Sequence, residues 1–320
     1  MYIHFWGVRG SLPSSLNTND WAKHFERLMH EFFKDGHRGP EHIESFIRKK
    51  SLPYVGGYGS ATTCVEVTDH NQSLIIDMGS GVKNLNDQLQ QSGQLKTQTE
   101  FHVLMSHFHF DHILGIPFFS PHFMKGKTVH YYSVQPETEN IVRSMFQKPT
   151  FPVTYESLPG QIQFHTLVPH EKHVINGFDV TAFQLDHPDL CYGFRVEKNN
   201  MVYAHAVDHE AIRRTPDQLG LDAGLFKNAN LLYFDAQYSE SDMEKHKGWG
   251  HGTCDRGFEV AYNFGVQQIL FAHHDPSADL QKIWHNKEEA EQILKKQFFM
   301  LAKNPEFKWD YAFEGQIVKL

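Results

Sequence analysis

The run Phe101-His102-Val103-Leu104-Met105-Ser106-His107-Phe108-His109-Phe110-Asp111-His112 decides how the rest of the chain is read. Phe101 to Met105 is a strand-like segment that ends where the histidines begin. Alternation in an extended segment puts His107 and His109 on one side. The chain must then turn, and Asp111 and His112 swing toward the same centre. Gly115 and Pro117 downstream fit a loop better than a long helix. Four nitrogen and oxygen donors within six residues at a strand end suit a borderline metal such as zinc. Four donors do not satisfy two metals, so further ligands are expected elsewhere. Three positions at strand ends qualify: His187 in Asp186-His187-Pro188, Asp208 after the strand Met201 to Ala206, and His273 after the strand Gln268 to Ala272. Strand ends mount functional side chains on a rigid scaffold, and these three complete a set of seven.

Working outward, Tyr2 to Val8 reads as a first strand, and Cys64 to Val67 and Leu74 to Asp77 as a hairpin turning at Asp69 to Gln72. Further strands are expected at 127–133, 162–168, 178–185, 191–197, 201–206 and 312–320, and helices at 253–264 and 278–302. Interleaved strands and helices fit stacked sheets covered by helices on the outside. Strands at both chain ends point to one continuous domain over 1–320. Residues 14–56 differ in character. Trp21, Phe25, Leu28, Met29, Phe32 and Phe33 recur at helical spacing, Asn19 is placed to cap that helix, and Glu41 to Lys49 reads as a second one. This stretch is a helical insertion: a lid, a dimer contact, or a solvated decoration of the surface.

The composition sets the remaining bounds. The 320 residues are 40% hydrophobic, enough for a substantial core, and no run of about 18 apolar residues suggests a membrane span. The opening Met1 to Gly7 lacks a basic flank and a small-residue cleavage site, and the three cysteines are scattered, so a reducing cytoplasm is expected. A net charge of -8 weighs against a large nucleic-acid partner, whose phosphates call for a basic surface. The 23 histidines are the loudest signal, because histidine is the commonest metal ligand.

With these residues in hand, the chain resembles the metallo-β-lactamase superfamily, nearly end to end. His107, His109, Asp111 and His112 match the signature His-x-His-x-Asp-His, and His187, Asp208 and His273 match the later ligands. The resemblance implies an α/β fold, the αββα sandwich of two stacked mixed sheets flanked by helices. It implies two Zn2+ ions, with Mn2+ or Fe as alternatives. His107, His109 and His187 would hold one ion and Asp111, His112 and His273 the other, with Asp208 bridging them. Asp77 in Asp77-Met78-Gly79-Ser80-Gly81 matches an upstream aspartate that supports the ligand loop. Within the superfamily the chain looks similar to the phosphodiesterase branch, which holds the tRNA 3′-end-processing endonucleases and small cyclic-nucleotide phosphodiesterases. Gly7-Val8-Arg9-Gly10-Ser11, Tyr58-Gly59-Ser60-Ala61-Thr62-Thr63-Cys64, Gly250-His251-Gly252-Thr253 and Phe234-Asp235-Ala236-Gln237 carry that likeness. Carried over residue by residue, His251 donates a proton to the leaving group and Asp235 orients it. Two positions depart from the pattern: Gly252 stands where serine is usual, and Val207 where a small or hydroxyl residue is usual.

The expected activity is that of a binuclear metal-dependent hydrolase, a phosphodiesterase acting on a small nucleotide or cyclic nucleotide. A hydroxide shared by the two metals attacks phosphorus, Asp111 orients it or takes its proton, and His251 protonates the leaving alkoxide. Asp186, His209, His274 and Asp275, next to ligands, are expected to support them, and Arg9 to contact a phosphate or hold the Tyr58 to Thr63 loop. The alternatives are a thioester, lactone or sulfate-ester hydrolase of the same fold, an RNA 3′-processing endonuclease, a di-iron redox protein and a non-catalytic binding protein. No Gly/Lys-rich arm lies between His112 and His187 to grip RNA. A small phosphodiester substrate, no membrane and a homodimer complete the expected partners.

Overall fold

A computed structural model describes residues 1–320, and in it the deciding run leaves the end of a strand in the middle of a seven-stranded sheet. Strands β1 (Tyr2–Gly7), β2 (Cys64–Asp69), β3 (Gln72–Ile76), β4 (Glu100–Leu104), β5 (Thr128–Ser133) and β6 (Gln161–Thr166) build it, with β14 (Gln316–Lys319) at its edge. The second sheet holds β7 (Lys172–Ile175), β8 (Phe178–Gln184), β9 (Tyr192–Lys198), β10 (Met201–Ala206), β11 (Leu231–Asp235), β12 (Gln268–Ala272) and β13 (Lys308–Tyr311). The orders are β14-β1-β2-β3-β4-β5-β6 and β13-β12-β11-β10-β9-β8-β7. Each sheet begins as an antiparallel meander and continues in parallel, from β3 to β6 in the first and from β10 to β13 in the second. The chain ends meet in the first sheet, where Tyr2 pairs with Lys319.

Three apolar layers hold this arrangement. Ile3, Phe5, Val65 and Ile76 of the first sheet pack on Val180, Phe194, Tyr203 and Leu231 of the second. Val82, Leu85 and Leu89, spaced along the helix Val82–Gln91, cover the outer face of the first sheet through Phe101, Val103 and Val129. Phe258, Ala261 and Phe264 of the helix Cys254–Phe264 cover the second through Phe234, Ile269 and Phe271. The result is the expected α/β sandwich of two mixed sheets with helices on both outer faces.

Several boundaries differ from the expectations. Asn17, not Asn19, caps the helix Thr18–Lys34, its side chain accepting the Asp20 N–H. The single helix expected over 278–302 is two, Leu280–Gln297 and Phe299–Lys303, because Phe298 leaves helical geometry (φ -116, ψ 44). The strand expected at 312–320 is confined to β14, since Ala312 to Gly315 cross from one sheet to the other and Gly315 turns at φ 84. The stretch 14–56 is helical, with Thr18–Lys34, Ile43–Lys49 and Leu52–Gly56. It packs on the helix Leu280–Gln297 where Arg27 lies 4.3 Å over both the Tyr54 and Trp284 rings. No helix is long and apolar enough to cross a membrane.

Glu66 of β2 is buried, with its carboxylate accepting the Trp6 indole N–H at 3.2 Å. Burial pushes this carboxyl from 4.5 up to about 7, against the opposing pull of the Trp6 hydrogen bond. The folded state therefore keeps a proton that the unfolded chain has lost. The group's contribution is full below about pH 4.5 and is lost as pH rises through about 7. Glu66→Gln is expected to exceed the parent in stability by about 1–3 kcal/mol at pH 8 and by much less at pH 5, measured by urea unfolding. An equal difference at both pH values would contradict this reading.

Candidate metal centre

All seven sequence-assigned ligands meet in one place, at the C-terminal ends of strands from both sheets. His107, His109, Asp111 and His112 follow β4, His187 follows β8, Asp208 follows β10 and His273 follows β12. Asp111 and His112 lie in the short helix Phe110–Ile113, whose tight turn brings them back beside His107. Two sets of donor atoms each fall within 4.8 Å of one another: His107, His109, His187 and Asp208, and Asp111, His112, Asp208 and His273. Asp208 belongs to both. Its Oδ2 lies 3.6 Å from His107 Nε2 and 3.9 Å from His187 Nε2. Its Oδ1 lies 3.2 Å from His112 Nε2 and 2.8 Å from His273 Nε2.

These atoms fit a metal because their other bonds leave them nothing else to do. His107 Nε2, His112 Nε2, His187 Nε2 and Asp208 Oδ1 are buried and have no hydrogen-bond partner. Each such group costs about 1–3 kcal/mol if left unmatched. Four of them pointing at one centre match the nitrogen and oxygen donor set of a transition metal. The remote ring nitrogens are all engaged, which sets the tautomers. His112 Nδ1–H donates to Asp77 Oδ2 at 2.8 Å. His107 Nδ1–H donates at 3.1 Å to Ser106 Oγ, whose own proton goes to Asp77 Oδ2 at 2.8 Å. Asp77 thus orients two ligands, one directly and one through a hydroxyl. His187 Nδ1 lies 3.1 Å from the Asp189 carbonyl, and His109 Nε2 lies 2.9 Å from the Asp189 carboxylate, which leaves His109 Nδ1 facing the cluster. His273 Nδ1–H donates to Gln237 Oε1 at 2.9 Å.

The electrostatic surroundings of the two sets differ. Burial, reinforced by neighbouring imidazoles, lowers His107, and burial lowers His187, so these rings are neutral and ready to donate lone pairs. Burial also opposes charge on His112 and His273, but the carboxylates around them prevail. His112 is raised well above its ordinary value by Asp111, Asp208 and Asp77, and His273 is pushed up to about 10 by Asp208 and Asp235. The centre is an anionic cage that demands positive charge.

His251 and Asp235 stand at its edge. His251 is buried, its Nδ1–H donates to Asp235 Oδ2 at 2.9 Å, and the same nitrogen lies 3.8 Å from Asp208 Oδ2. The other Asp235 oxygen accepts the backbone N–H of Gln237 at 3.0 Å and of Gly252 at 3.3 Å. Burial opposes protonation of His251, but Asp235 and Asp208 outweigh it and raise its pKa. A glycine is needed at 252, where a Cβ would lie 2.7 Å from the Asp235 carbonyl oxygen and 2.8 Å from that of His209. Gly10 likewise lets the opening turn reach the centre, since a Cβ there would lie 2.3 Å from His273 Nδ1. The next residue, Ser11, donates its backbone N–H to Asp111 Oδ2 at 2.8 Å.

The expected supporting residues are corrected by this geometry. Arg9 does not face the centre. It is buried and donates to the carbonyls of Gly59, Asp275 and Ala278, so of its two expected roles it fills the one of holding the Tyr58 to Thr63 loop. Asp186 pairs with Arg213, and His274 bonds the Ala312 carbonyl. The partners that do hold ligands, Ser106, Asp189 and Gln237, were missed as supports. Each adjoins or nearly adjoins a recognised site residue, and hydrogen-bonding side chains at such positions were the available signal.

Residues 74–274 match the family model of the beta-lactamase superfamily domain. Ribonuclease Z of Lachnospira eligens is 24% identical over 255 residues, covering 65% of this chain and 80% of that protein. Ribonuclease Z of Staphylococcus carnosus is 26% identical over 151 residues, so the match spans 45% of this chain and less than half, 46%, of that relative. Among solved structures, the metallo-beta-lactamase fold protein YhfI from Bacillus subtilis superposes with a TM-score of 0.62 at 16% identity, covering 99% of this chain and 98% of that one.

The Gln237 contact yields a direct test. Removing a supporting partner of a ligating histidine typically costs 10–100-fold in metal affinity. Gln237→Ala is expected to weaken zinc binding by about that factor, measured by competition with a chromophoric chelator. Unchanged affinity would remove Gln237 from the site.

Proposed function

This chain belongs to the β-lactamase superfamily and is a metal-dependent hydrolase, and we propose that it is a binuclear phosphodiesterase acting on a small nucleotide or cyclic nucleotide. The observation that carries this reading is the His251–Asp235 pair, 2.9 Å apart and buried beside Asp208. In this reading His107, His109 and His187 would hold one ion and Asp111, His112 and His273 the other, with Asp208 available to both. Zinc suits the donor set, and manganese or iron are the alternatives. Bound ions supply positive charge for the phosphoryl oxygens and acidify a water toward neutrality.

The chain's own residues then do the rest. Asp111, fixed by the Ser11 N–H and beside His112 and His273, accepts a proton from the attacking water or turns it toward phosphorus. His251 carries its proton on the leaving side, because the Asp235 and Asp208 carboxylates favour the imidazolium. Its Nδ1 is held by Asp235, so Nε2 is the atom that gives a proton to the departing alkoxide. Acyl leaving groups such as thiolates need no such acid, which is why the pair favours phosphate chemistry over thioester hydrolysis. The net charge of -8 favours a small substrate. RNA cleavage remains the second reading, supported by the name of the relatives, Ribonuclease Z. The three buried free cysteines suit a reducing compartment, the cytoplasm.

The metal-loaded protein is expected to hydrolyse bis(p-nitrophenyl) phosphate and to leave an acyl thioester untouched. Asp111→Ala and His112→Ala are expected to abolish turnover. His251→Ala is expected to retain its metal and to lose about 10²–10⁴-fold in rate on a diester with an alkoxide leaving group, such as a dinucleoside monophosphate. Turnover of the thioester alone would reject the phosphodiesterase reading, and an unimpaired His251→Ala would remove the acid.

A further inference from the structure

A cleft of about 400 Å³ opens beside the metal centre, bounded by His187, Pro188, Glu210, Ile212, Arg213 and Gly248. Its volume lies in the range of small-molecule sites, and the chemistry described above makes no use of it. Gly248 in its wall belongs to the segment 247–251, which carries Trp249 at its middle and His251 at its end. Gly248 and Gly250 on either side of Trp249 adopt φ 83 and φ 88, a region that side chains disfavour. At Gly250 the backbone presses on the ligand set, since a Cβ there would lie 2.2 Å from His187 Cδ2. At Gly248 the backbone N–H is held by the Glu210 carboxylate at 2.9 Å. The segment is therefore pinned at two points, and Trp249 stands between them, the next residue after Gly248 of the cleft wall.

The indole is 59% exposed, an unusual state for a large ring on a braced segment beside a reaction centre. One part of it is fixed, edge to face, 4.8 Å from the His246 ring. His246 stacks on Tyr238 at 4.3 Å, and Tyr238 lies 5.9 Å from His251. An aromatic chain thus runs from the exposed indole back to the proton-donating histidine. Most charged groups of the cleft are engaged, although Glu210 Oε1 has no hydrogen-bond partner. Arg213 is bound to the Asp186 and Asp222 carboxylates, and Glu210 to the Gly248 N–H.

We propose that Trp249 is a stacking platform for the nucleobase on the leaving half of the diester. This rests on the phosphodiesterase reading. The leaving half is assigned because the cleft and the leaving-group acid share one segment. Face-on stacking accepts any base, so purine and pyrimidine leaving nucleosides are handled alike.

The test compares two substrates on the metal-loaded protein: a dinucleoside monophosphate, and the methyl ester of the same nucleotide, which differs only in leaving methanol. The ratio of their kcat/KM values reads the contribution of the leaving base. Trp249→Ala is expected to lower that ratio about 10- to 100-fold, mainly through KM, and Trp249→Phe to restore most of it. Adenosine 5′-monophosphate is expected to quench the fluorescence of the parent protein and not that of Trp249→Phe. If the parent cleaves both diesters but the ratio in Trp249→Ala is unchanged, or both substrates lose equally, the platform is rejected and the phosphodiesterase reading stands. If the parent cleaves no phosphodiester, both fall.

Discussion

Asp208 is 1% exposed and sets its two carboxylate oxygens against two different groups of side chains, one built on His107 and His187 and the other on His112 and His273. A buried carboxylate among buried imidazoles is costly unless each lone pair finds a proton or a cation. The rest of the centre follows from that demand. Outer hydrogen bonds to Asp77, Ser106, Asp189 and Gln237 occupy the remote ring nitrogens and leave the inner ones unmatched. The unmatched inner donors are what a metal answers, and the outer bonds keep the rings from turning away.

The fold delivers these donors from both sheets. β4 belongs to the first sheet and β8, β10 and β12 to the second, so the centre exists only when the two sheets are stacked through the layer of Ile3, Phe5, Val180 and Phe194. Functional side chains at the carboxyl ends of parallel strands are a recurrent solution in open sheets. Here the same ends also carry Asp77, after β3, and Asp235, closing β11, so support and chemistry share one rim. Metal bound at that rim stabilises the folded state by mass action, since the unfolded chain cannot assemble the same set.

Much of this was legible in the sequence because the informative residues stand at strand ends. The period-2 pattern located most strands, and the dense cluster at 107–112 announced the site. What escaped had physical reasons. β11, Leu231 to Asp235, is buried on both faces and shows no alternation. The split at Phe298 depends on tertiary packing, as does the crossing at Ala312 to Gly315 between the two sheets. The supports Asp189 and Gln237 reach His109 and His273 across sequence separations of 80 and 36 residues, so their place beside recognised residues was a hint that could not name the ring each one holds. The two roles open to Arg9 were separated only by the fold, where three carbonyls satisfy its guanidinium and the loop-holding role is the one it fills.

The central claim is that Asp208 lies between two cations. Crystals of the zinc-loaded protein, measured at and below the zinc absorption edge, test it most directly. Two anomalous peaks are predicted, one beside His107, His109 and His187 and one beside Asp111, His112 and His273, with Asp208 touching both. A single peak, or peaks away from Asp208, would contradict the account.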